Sequence, residues 1–88
     1  PSLAMGRDVI RLGGTSGAVF NAANEVAVSE FLRGAIRLGV IFEVVRHTMQ
    51  DHVNEQASSL DELMRADAWA RRQAMQWVGR LAETEDIA

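Results

Sequence analysis

The sequence has no cysteine, no lysine, a single proline and no long apolar run. Without cysteine there is no disulfide, no thiolate nucleophile and no thiolate metal ligand. In so small a domain the lack of disulfides fits a reducing compartment, and a cytoplasmic location is expected. No stretch approaches the ~20 apolar residues that a membrane-spanning helix needs, and no charged-then-apolar start marks a secretory signal. The one proline is Pro1, so none interrupts a helix further along. Pro1 also stands where an initiator methionine would, the start expected of a fragment or a processed product. All basic side chains are arginines, scattered among the acids, and the net charge is −3. Nucleic-acid binders concentrate positive charge on one face, and this pattern does not, so no nucleic-acid partner is expected.

What is present is 88 residues, 48% of them apolar. That is enough for one domain and too little for a second core, while the apolar share is too high for a disordered tail. Residues 2–12 read as a helix with a partial apolar stripe of Leu3, Val9 and Ile10, stopped by Gly13-Gly14. Gly6 inside it costs up to about 1 kcal/mol relative to alanine.

Residues 18–33 make the strongest helical segment, with Thr15 or Ser16 placed to cap it and Gly34 to end it. Val19, Phe20, Ala22, Ala23, Val26, Ala27, Val28, Phe31 and Leu32 wrap most of its circumference. Asn21, Glu25 and Ser29, at a spacing of four with Asn24 beside them, leave only a narrow polar strip. A helix apolar on most sides is a central one, and its alanines permit close neighbours.

A third helix is expected from Leu38 or Gly39 to about Val53, with Ile41, Val44, Val45, Thr48, Met49 and His52 on one face. Its β-branched run also suits a strand, but no partner strand is visible elsewhere. After a loop over residues 54–58, Ser59-Leu60-Asp61-Glu62 has the form of a capping box. The acid-before-base pairs Asp61/Arg65 and Asp67/Arg71 each sit four apart. With Asp67 read as a new cap, the sequence predicts a short helix over 60–65 and a longer one over 67–82. In the longer one Ala70, Ala74, Trp77, Val78 and Leu81 line one side, and residues 83–88 are expected to fray. The fold class is therefore all-α: a small four-helix bundle-like domain with one extra short helix, residues 1–88 forming a single unit.

No catalytic, cofactor-binding or metal-binding constellation assembles from these residues. Gly13, Gly14 and Gly17 resemble a phosphate-cradling loop, but such a loop follows a strand and carries a lysine, and here a helix is expected before it. His47 and Asp51 share a helical face, yet two ligands do not make a metal site, and His52 points elsewhere. The acidic pairs read as caps and solvated charge. Two features remain as candidates for docking between domains. Asn21, Asn24 and Glu25 place hydrogen-bonding groups on the most apolar helix, where such groups need partners, either another domain or the solvent along the helix's one open side. Trp69 lies off the apolar stripe, as interface tryptophans do.

The segment from Gly13-Gly-Thr-Ser-Gly-Ala-Val-Phe through Asn21-Ala-Ala-Asn-Glu-Val26 to Phe31-Leu-Arg-Gly-Ala-Ile-Arg37 is distinctive. It resembles the C-terminal domain of 1-deoxy-D-xylulose 5-phosphate reductoisomerase. Pro1-Ser-Leu3 and Asp67-Ala-Trp-Ala-Arg71 extend the resemblance over nearly the whole chain. It departs at Gly17, where that family commonly has proline, and at Leu38-Gly39, where it has an acidic or aromatic start. The resemblance implies a larger enzyme that rearranges its sugar phosphate and reduces the product with NADPH, assisted by magnesium or manganese, in isoprenoid synthesis. It implies partners as well: nucleotide-binding and catalytic domains upstream, in a homodimer. No catalytic or ligand residue is carried onto this chain, whose implied role is structural. The alternative is a free-standing helical module that binds a partner protein.

Overall fold

The computed structural model describes residues 14–52 and 59–87, with side chains up to Glu83. Three helices make up the described part: α1 (Ser16–Leu32), α2 (Leu38–Asp51) and α3 (Leu60–Ile87). No strand occurs among the described residues, so the β-branched run of α2 is helical. The helix expected over residues 2–12 lies outside the described residues, as does the loop over 54–58.

The end of α1 and the start of α3 each have a local cause. Gly34 takes φ +85°, a left-handed conformation that L side chains rarely adopt. The turn it makes ties off α1: the Gly34 amide donates to the Phe31 carbonyl at 3.0 Å, and the Ala35 amide to that of Glu30 at 2.9 Å. This double closure is the Schellman arrangement, which satisfies carbonyls the helix leaves open. At the start of α3 the Ser59 hydroxyl accepts the Glu62 amide at 3.2 Å, as the capping-box reading expects.

Four expectations are corrected. The two helices over 60–65 and 67–82 are one, because Ala66 offers no break, and Asp67 pairs with Arg71 instead of capping a new turn. That helix continues to Ile87, through the stretch expected to fray. Thr15 does not cap α1 with its side chain; its hydroxyl lies 2.9 Å from His52 Nε2, joining the start of α1 to the end of α2. The helix predicted over 38–53 stops at Asp51, where His52 turns extended.

The helices run up, down and up. Thr15 meets His52 at one end of the α1–α2 pair, and the Gly34 turn closes the other. Along α3, Trp69 meets His52 and Trp77 meets His47, so α2 runs against both neighbours. α1 and α3 are consequently parallel. The centre is built from small and β-branched residues. Val19, Ala22, Ala23 and Ala27 of α1, Val44, Val45 and Thr48 of α2, and Ala70 and Ala74 of α3 are wholly or almost wholly buried. Alanines on two facing helices let their backbones approach closely, and the valines fill the space between. Thr48 is admitted to this core because its hydroxyl donates to the Val44 carbonyl at 2.8 Å, one turn back. Glu30 is buried as well, held by a two-pronged contact from Arg33 at 3.1 and 2.9 Å.

Candidate docking face

The packing of α1 fixes where its polar strip points. With Val19, Ala22, Ala23 and Ala27 turned inward, Asn21, Glu25 and Ser29 are exposed and Asn24 is half-buried. They face outward beside α3. Two shallow grooves lie along this α1–α3 face. Asn24, Glu25, Val28, Ser29, Leu32 and Arg71 line one; Ala18, Asn21, Leu63, Met64, Asp67 and Ala68 line the other.

Arg71 stands between the grooves and ties the two helices together. Its Nη2 donates to Glu25 Oε2 at 2.6 Å, and its Nε to Asp67 Oδ1 at 2.7 Å. The hydrogen bonds that the guanidinium donates, to Asp67 first and then to Glu25, raise its pKa above its already high ordinary value. Two carboxylates against one guanidinium leave the bridge with one net negative charge. The side chains involved are about half exposed, so the bridge fixes geometry more than it adds stability.

Trp69 is not part of this face. It is half-buried against the cluster of Val19, Ala22 and Ala70, and its ring tilts at 44° onto His52, with centroids 5.5 Å apart. The structure therefore brings together Asn21, Asn24 and Glu25 and separates Trp69 from them.

A second polar cluster joins α2 to α3. His47 stacks on Trp77 with ring centroids 4.1 Å apart and planes 14° from parallel. Trp77 Nε1 donates to Asp51 Oδ2 at 2.8 Å, and Gln73 Nε2 donates to the same oxygen at 3.3 Å. The Arg80 guanidinium lies 4.8 Å from the Trp77 ring centroid. The shared face of His47 and Asp51 was readable from their spacing of four. Their common partner Trp77 was not, since at helical spacing it reads as core.

Among the described residues no three His, Asp or Glu side chains converge as a metal site would need. Asp51 is engaged by Trp77 and Gln73, and His52 by Thr15. No helix among the described residues is long and apolar enough to cross a membrane.

Comparison with known proteins places this helical unit. The family described as the DXP reductoisomerase C-terminal domain matches residues 1–73. The 1-deoxy-D-xylulose 5-phosphate reductoisomerase of Rhodopirellula baltica is 51% identical over 74 residues, covering 84% of this chain and 16% of the relative. That of Cupriavidus metallidurans is 43% identical over 82 residues, covering 93% of this chain and 21% of the relative. The structure of the reductoisomerase from Zymomonas mobilis in complex with NADPH superposes with a TM-score of 0.75 at 37% identity. That match covers 81% of this chain and 19% of the other. This chain thus spans about a sixth to a fifth of the length of the curated relatives it matches. Sequence and backbone agree, and the chain belongs to the DXP reductoisomerase C-terminal domain family.

Proposed function

We propose that this chain is the C-terminal helical domain of a 1-deoxy-D-xylulose 5-phosphate reductoisomerase, residues 1–88 forming one unit whose role is structural. The longer enzyme rearranges its substrate and reduces the product with NADPH to 2-C-methyl-D-erythritol 4-phosphate, a step of isoprenoid synthesis in the cytoplasm. NADPH and a magnesium or manganese ion, which would chelate substrate oxygens, belong to domains upstream, and the enzyme is a homodimer. The observation that carries this reading is the family match over residues 1–73. The shared backbone with the Zymomonas mobilis enzyme supports it. The bundle's contribution is to brace the catalytic part, with Arg71 tying α1 to α3 through Glu25 and Asp67 so that the two helices act as one unit.

The test is to purify the product of the complete reading frame and follow NADPH oxidation driven by 1-deoxy-D-xylulose 5-phosphate. Turnover is expected, together with its loss when the frame is cut before Gly13. A frame with nothing upstream, or a complete product without turnover, would sink the assignment. A free-standing interaction module would then replace it.

A further inference from the structure

We infer that the α1–α3 face is the surface on which the catalytic part of the longer polypeptide docks, with Leu32 and Met64 as its apolar anchors and Asn21 and Asn24 as its hydrogen-bonding groups. This rests on the reading of the chain as one domain of a longer enzyme, and it names the face that does the bracing.

Three observations carry it. The first is an excess of exposed apolar surface where a free helix pair would be polar. Leu32 is 77% exposed and Met64 61%, and each lines a different groove of the same face. Leu60 and Met75, also exposed, stand four residues before and eleven after Met64, one turn and about three turns away, and extend its stripe. Large exposed side chains gathered on one face mark an interaction site, whereas single ones scattered over a surface do not.

The second is the chemistry between the anchors. Asn21 and Asn24 each offer donors and an acceptor without charge, which suits backbone and neutral polar groups of a folded surface. Interfaces between domains of one chain are more polar than those of obligate complexes, and a face of amides between apolar anchors has that character. The Glu25–Arg71–Asp67 bridge leaves one negative charge at the centre, which favours a cationic side chain opposite it.

The third is what lies outside the chain. Relatives in which this domain occupies 16–21% of the length have roughly four-fifths of their polypeptide elsewhere, and that remainder needs a surface to rest on. The region shared with the family, residues 1–73, includes every groove residue named above.

Thiol labelling in the complete enzyme tests this without disturbing the core. Leu32→Cys and Met64→Cys are compared with Leu38→Cys, which stands at the start of α2 and is 60% exposed. The docked face predicts labelling of the first two at least roughly tenfold slower than the third, as for groups exposed only by local opening. Equal rates at all three positions would overturn the inference. Slow rates that persist in the 88-residue chain alone would also overturn it, because the cover would then be this chain itself. So would slow rates that relax on dilution, which would mean a second copy. Slow labelling in an enzyme that fails to turn over its substrate would leave the docking face standing and remove only the assigned reaction.

Discussion

The two sides of α1 are one residue apart in sequence and opposite in character. Ala22 and Ala23 have no exposed surface, whereas Asn21 is exposed and Asn24 half-buried. The fully buried residues of the inner side, Val19, Ala22, Ala23 and Ala27, carry side chains of at most three carbons, so the helices approach closely there and any added atom must displace a neighbour. The outer side meets α3 through one arginine and two carboxylates across open grooves, where solvent absorbs most changes. Stability is concentrated on one side of the helix, and the proposed docking surface lies on the other.

The sharpest way to break this comparison is to put the same charge on each side. Ala23→Asp buries a carboxylate with no partner and is expected to cost about 3–5 kcal/mol, enough to unfold so small a domain. Asn24→Asp, one residue on, should change stability by no more than about 0.5 kcal/mol. Chemical denaturation of the 88-residue chain reads both, and similar losses would abolish the distinction. Next in size is Val44→Ala, which opens a cavity where α2 meets the centre and should cost about 2 kcal/mol. Gly34→Ala tests the turn between the two helices. A Cβ there meets nothing within 4 Å, so the expected loss of about 1 kcal/mol comes from the positive φ alone. A neutral result would show that the turn relaxes.

The smallest effect expected concerns Glu43 on the solvent side of α2. A hydrogen bond from Arg46 holds its carboxyl below the ordinary range. A depressed carboxyl adds stability above its unfolded pKa and loses it as pH falls through the folded one. Helicity should therefore soften slightly in the acid range below the ordinary glutamate value. Arg46→Gln should remove that dependence, and circular dichroism against pH for the two chains checks it.

Much of this architecture could be read from residues with one dominant local role. Gly34 ends α1 because left-handed backbone favours glycine, and Ser59 starts α3 because its hydroxyl reaches an open amide. The inward face of α1 followed from where its polar residues were absent. Asp67 misled because an aspartate four residues before an arginine serves equally as a cap or as a mid-helix partner. Thr15 misled for a related reason: its hydroxyl had two possible partners, and His52, 37 residues away, took it. In the docking face, Asn21, Asn24 and Glu25 were visible as a strip. The α3 half, Met64 and Arg71, depended on how that helix is rotated against α1, which its own periodicity does not state. Trp69 stood off the stripe predicted for a shorter helix, yet in the continuous α3 it rests on the second core cluster.

The odd number of passes in the described bundle has a practical consequence for anyone attaching something to it. A polypeptide entering at Gly14 and leaving along α3 arrives and departs at opposite poles. At 28 residues α3 alone spans about 42 Å, which accounts for the 43 Å longest dimension. A pair of fluorophores, one at Gly14 and one at Glu83 of α3, would stand toward opposite ends of the bundle. Energy transfer between the two would register the straightness of α3 as a molecular ruler.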